Sequence, residues 1–103
     1  MKVSVIHRAF EESSRLVAFI DVDDNMSTDD ALDYAFFRTQ NLQGSWSRPN
    51  NPDWSEDVTV MAELPVSKKT GEVMGLRSTS VGDRIIVGNS VFEVDDEGFT
   101  LEA

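Results

Sequence analysis

The sequence predicts an α+β domain in which a small antiparallel sheet packs on one main helix. Two strand-like segments, at residues 2–9 and 15–23, flank a short polar stretch and predict an N-terminal hairpin. A helical pattern follows at about residues 28–40, and further strands flank the turn-forming tripeptide Gly88-Asn89-Ser90. A single helix between two groups of strands is typical of the α+β class.

The N-terminal hairpin rests on two patterns. Val3 and Val5 alternate with polar residues, which is typical of a strand with one buried face. From Leu16 to Val22 the chain is almost continuously apolar, which favours a central strand in the sheet.

The helix is predicted from its start signal and from one apolar face. Ser27 is a good N-cap, and Asp29 and Asp30 lie in the first turn, where the helix dipole favours carboxylates. The residues that share one face at helical spacing are Ala31, Leu32, Ala35, Phe36 and Thr39. We expect this face to cover the N-terminal hairpin.

The second half of the chain is predicted to alternate loops and short strands. Residues 41–56 are rich in Pro, Gly and Asn and form a long loop, which Trp46 and Trp54 are expected to pin in part. A strand follows at 58–62, and then an exposed connection at about 66–79 that turns at Lys68-Lys69-Thr70-Gly71. The closing strands are 84–87 and 91–94, and the chain ends with apolar residues among acids.

Length and charge limit the classes of function. The 103 residues are enough for a single domain spanning 1–103, and the formal net charge of −10 disfavours direct binding to nucleic acid, which needs Lys and Arg against phosphates. No apolar stretch approaches the about 20 residues of a membrane span, and we expect no membrane association. The absence of cysteine excludes disulfides and thiolate chemistry and fits a reducing compartment.

Catalytic and metal chemistry find little support in the sequence. His7 is the only histidine, and no serine has an evident activating partner, so we expect no enzyme activity and no cofactor.

Residues 21–33 are rich in Asp, but a calcium loop beginning at Asp21 would have Met26 in place of the turn glycine and Leu32 in place of the bidentate glutamate. We therefore predict no metal site.

Two groups of residues are candidates for binding a partner. Trp46 and Trp54 either close the core or act as exposed anchors, and Arg77 either belongs to an ordered loop or centres a polar recognition surface. The acidic candidates on and before the helix are Asp23, Asp24, Asp29 and Asp33.

Several segments resemble small uncharacterised proteins of tailed bacteriophages. They are the helix that ends in Thr39-Gln40-Asn41, the segments Gly44-Ser45-Trp46-Ser47 and Asn51-Pro52-Asp53, the later Gly75-Leu76-Arg77-Ser78-Thr79-Ser80-Val81-Gly82-Asp83, and the final Gly98-Phe99. The resemblance covers most of the chain from about residue 28. It implies a phage protein made in the cytoplasm of a bacterial host, and it carries over no activity.

The favoured hypothesis is a non-enzymatic interaction protein that binds a host or phage protein. The alternative is an acidic mimic of nucleic acid that inhibits a DNA- or RNA-binding host enzyme or a defence system. Such a mimic needs carboxylates arrayed along one face, and residues 21–33 and the C-terminal acids Glu93, Asp95, Asp96, Glu97 and Glu102 could supply two such patches. A homodimer is also open, because the terminal strands leave possible sheet edges.

Overall fold

The computed structural model describes residues 1–102, which form one six-stranded sheet and one α-helix. The elements are β1 (Lys2–His7), β2 (Arg15–Asp21), α1 (Thr28–Arg38), β3 (Val58–Val60), β4 (Arg84–Val87), β5 (Ser90–Asp95) and β6 (Gly98–Leu101). Every neighbouring pair is antiparallel, in the order β3-β2-β1-β4-β5-β6. The predicted α+β class, the N-terminal hairpin and the C-terminal strands are confirmed.

The core lies on one face of the sheet. Val3 and Val5 of β1 are fully buried, and their partners across both neighbouring strands are buried with them. The register shifts between Val5 and Ile6, so β2 has an extra residue there and both Val17 and Ala18 are buried. This β-bulge explains the continuous apolar run of β2.

The helix begins where the sequence predicts, but it packs elsewhere. The Ser27 hydroxyl accepts a hydrogen bond from the Asp30 amide at 3.1 Å, and Ala31, Leu32 and Ala35 are buried as predicted. The helix packs mainly against β4 and also against β1, so it reaches the first strand of the predicted hairpin but is not centred on the hairpin. The expectation was only partly right, because β4 pairs with β1 and places β1 and β4 at the centre of the sheet.

The connecting segments differ from the prediction in one respect. Residues 41–56 contain no helix or strand, as expected, and 66–74 are mostly exposed around a turn. The predicted exposed connection, however, does not extend to residue 79, because Leu76 and Thr79 are buried.

The one helix described in residues 1–102 is not long and apolar enough to cross a membrane.

Candidate functional site

Trp46 is part of the core. Its side chain is 0% exposed, its indole Nε1 donates a 2.9 Å hydrogen bond to the Arg77 carbonyl, and its backbone amide donates to Oδ1 of Asn41. The reading of Trp46 as an exposed partner anchor is therefore wrong. The other candidate, Trp54, is only partly buried and remains accessible.

The long loop around Trp46 is ordered by polar side chains. Oδ2 of Asp53 accepts the amides of Leu42, Gln43 and Gly44 at 2.7 to 2.8 Å. Although desolvation raises the pKa of Asp53, these three amides lower it below its usual value. These hydrogen bonds hold Asp53 to residues 42–44, which follow the helix. The loop is therefore ordered and is not a flexible segment free to bind a partner.

A buried carboxylate joins the segments that follow β1 and precede β4. Asp83 is 0% exposed and accepts two hydrogen bonds from the Arg77 guanidinium, at 2.6 and 2.9 Å. It also accepts the backbone amides of Arg8, Ala9 and Ser80. Burial raises the pKa of Asp83, but Arg77 and the three amides outweigh it and hold that pKa far below its usual value.

Arg77 therefore has a structural task. Besides Asp83, its Nε lies 3.5 Å from Oε1 of Glu11, and its guanidinium carbon stands 4.9 Å from the centre of the Phe10 ring. These contacts occupy most of the guanidinium group. Only the partly exposed edge of Arg77 is left for the polar recognition surface that the sequence predicts there.

His7 lies beside this cluster as a neutral ring. It is 1% exposed, its Nε2 is 3.0 Å from Oγ1 of Thr79, and its ring packs edge-on against Trp46. Desolvation lowers the pKa of His7 to about 4, against the raising effect of Asp83. At pH 7 the ring is uncharged and hydrogen-bonded, which suits a core histidine.

A cleft of about 490 Å³ opens beside His7. Its charged lining consists of two carboxylates and two guanidinium groups, from Glu11, Arg15, Glu63 and Arg77. The Arg77 guanidinium is already bound to Asp83 and lies beside Glu11, so it is not free to bind a ligand in this cleft.

The acidic candidates lie along the other end of the molecule. Asp23, Asp24 and Asp29 are all exposed, and Oδ1 of Asp24 lies 2.5 Å from the N-terminal ammonium group. The hydrogen bond with that group is the main cause that lowers the pKa of Asp24. These carboxylates are ordinary solvated groups at a strand end and a helix start.

Asp33 has a different position. It lines a groove of about 400 Å³ between α1 and the β5–β6 hairpin, together with Asp95 and Asp96. The apolar lining of this acidic groove is Phe36, Val81, Val94 and Phe99. The helix carboxylate and the C-terminal carboxylates, 62 and 63 positions apart in the chain, therefore share one surface.

The groove has a rigid apolar floor. Phe36 of α1 and Phe99 of β6 pack edge to face with ring centres 6.0 Å apart, while Val81 is 52% exposed at its margin. Asp95 is oriented by the Thr100 hydroxyl and the Glu97 amide, which lower its pKa. Phe36, Val81 and Phe99 are not recognisable as site residues from the sequence, since Phe36 fits the apolar face of the helix and nothing local brings it next to Val81 or Phe99.

Within residues 1–102 no group of three His, Asp or Glu side chains is arranged to hold a metal ion. Comparison with protein-family models, with curated proteins and with solved structures finds no match to this chain.

Proposed function

We propose that this chain is a non-enzymatic interaction protein that binds a basic, partly apolar segment of a partner protein in the acidic groove. The observation that carries the proposal is the placement of Asp33, Asp95 and Asp96 around the floor formed by Phe36 and Phe99. The resemblance to tailed-phage proteins makes the cytoplasm of a bacterial host the compartment in which we propose that it acts.

The two components of the groove have separate physical roles. Burial of apolar side chains against Phe36, Val81 and Phe99 supplies affinity, at about 25 cal/mol per Å² of apolar surface removed from water. The carboxylates select Lys or Arg on the partner and accelerate encounter, because exposed charges act more on specificity and association rate than on affinity.

The alternative is the nucleic-acid mimic. One observation favours it, namely that acids of the helix and of the C-terminal strands lie on the same surface. A mimic would use this surface together with Asp23, Asp24 and Asp29, and its binding would be spread over many carboxylates. An apolar floor has no counterpart in a phosphate backbone, so the groove fits a protein segment better.

The test is affinity capture from nuclease-treated bacterial lysate, followed by measurement of the affinity for the captured protein. We expect Asp33→Asn/Asp96→Asn to weaken binding about tenfold, because two attractive charges are lost. The matched control is Glu12→Gln/Glu56→Gln, which changes the net charge equally at two exposed positions outside the groove and should leave binding within about twofold.

A third variant separates the two functions. Asp23→Asn/Asp24→Asn/Asp29→Asn should leave groove binding intact but should weaken a mimic as strongly as the groove variant does. Equal losses from the groove variant and from Asp23→Asn/Asp24→Asn/Asp29→Asn, with the Glu12→Gln/Glu56→Gln control unchanged, would contradict the groove and support the mimic. Capture of one protein by wild type and by all variants alike would contradict both.

A further inference from the structure

Residues 66–74 form a short arm whose net charge is positive, opposite to that of the acidic groove. Val66 and Val73 form an isolated antiparallel bridge, and the backbone turns at Gly71, whose φ of 73° favours glycine. The exposed fractions of Val66, Val73 and Met74 are 58%, 48% and 46%. The arm is thus a small turn with an apolar flank that nothing in residues 1–102 covers.

The tip of the arm is basic. Lys68 and Lys69 are exposed, and neither takes part in an ion pair among the residues that the structure describes. Glu72 is the single acid of the arm, so its net charge is positive in a chain whose net charge is −10.

We propose that the arm of one copy docks into the acidic groove of another copy, so that the chain assembles head to tail. Lys68 and Lys69 would face Asp33 and Asp96, and the apolar flank of the arm would cover the floor near Val81. This inference rests on the proposed function, because it names a second copy of this chain as an occupant of the same groove.

The docking has to occur between copies. The arm begins beside the end of β1, where Val66 lines the same cleft as His7, whereas the groove lies between α1 and the β5–β6 hairpin. No arm residue lines the groove of its own chain.

The geometry also determines the kind of assembly. The two contacting surfaces are different patches, so each copy offers one arm and one groove. Two copies can exchange arms in a closed dimer, and more copies can form a larger ring or an open chain, so the average mass rises to that of a dimer or beyond.

The experiment is sedimentation velocity over a range of concentrations, with wild type and two charge-reversed variants. Lys68→Glu/Lys69→Glu reverses the arm, and Asp33→Lys/Asp96→Lys reverses the groove while leaving the Asp95 turn intact. We expect wild type to exceed the 11.5 kDa of a monomer as concentration rises, and each variant alone to associate at least roughly tenfold more weakly.

The decisive sample is the equimolar mixture of the two variants. The wild-type groove of one then meets the wild-type arm of the other, and the reversed arm meets the reversed groove, so both contacts are attractive and assembly should return. Far-UV circular dichroism of each variant alone checks that both are folded. Arm–groove docking is overturned if wild type stays monomeric, if either variant assembles like wild type, or if two folded variants fail to assemble when mixed.

The outcome is distinguishable from a failure of the proposed function. If wild type stays monomeric but captures a foreign protein through Asp33 and Asp96, the self-docking inference fails and the groove remains a binding site. If the mixture behaves as expected and no foreign protein is captured, the partner of the groove is the chain itself. If neither occurs, both proposals fail.

Discussion

Asp83→Asn tests the buried carboxylate that connects β1 to β4. The substitution keeps the shape of the side chain but removes its charge and replaces one acceptor oxygen with an NH₂ group. In either orientation that donor faces Arg77 and at least one backbone amide, the amides of Arg8 and Ala9 at the Oδ1 position or that of Ser80 at the Oδ2 position. The Arg77 guanidinium loses the carboxylate that binds both of its terminal nitrogens, Nη1 and Nη2.

The expected loss follows from the complete burial of Asp83. Removing one partner of a buried, hydrogen-bonded ion pair costs about 3–5 kcal/mol. A domain of this size has a free energy of unfolding of about 5–15 kcal/mol, so the loss is a large part of the total. At about 4–8 °C per kcal/mol, Tm should fall by at least 12 °C or so.

The assay is urea denaturation at pH 7 followed by tryptophan fluorescence. Trp46 donates its indole N–H to the carbonyl of Arg77 and therefore reports on the same cluster. Asp96→Asn is the matched control, because Asp96 is exposed, and it should change stability by less than about 0.5 kcal/mol. A loss of under about 1 kcal/mol in Asp83→Asn would refute the view that this carboxylate holds the two segments together.

Three further outcomes are expected. The folded pKa of His7 is about 4 and its unfolded pKa is about 6.5, so between these pH values the unfolded chain binds one proton more than the folded chain. The free energy of unfolding should therefore fall by up to about 3 kcal/mol as pH drops from 6.5 to 4. In a pH series of urea melts, His7→Gln should remove this part of the pH dependence. Trp46→Phe should cost about 2–3 kcal/mol by urea melt, since it loses ring volume and the bond to Arg77; an unchanged midpoint would contradict its place in the core. Gly75→Ala should cost about 1–3 kcal/mol, because the new Cβ would collide with Ser45 and lie 3.2 Å from Oγ of Ser47; calorimetry with an unchanged Tm would contradict this packing.

Local patterns account for most of the fold prediction. The alternation in β1, the N-cap at Ser27 and the turn at Gly88 depend on residues close together in the chain, and each was confirmed within a few positions. The errors concern long-range pairing. Nothing local in the sequence shows that β4 hydrogen-bonds to β1, and this pairing decides where the helix packs.

The candidate site divides in the same way. The sequence alone established the acidic balance and the absence of cysteine chemistry, and it predicted Asp33 as one acidic candidate. Only the tertiary structure decided that Trp46 is a core residue, that Arg77 is occupied by Asp83, and that Asp33 shares a groove with Asp95. Composition and short-range periodicity determine which segments form helices and strands, whereas a binding surface depends on side chains that the sheet brings together from distant parts of the chain.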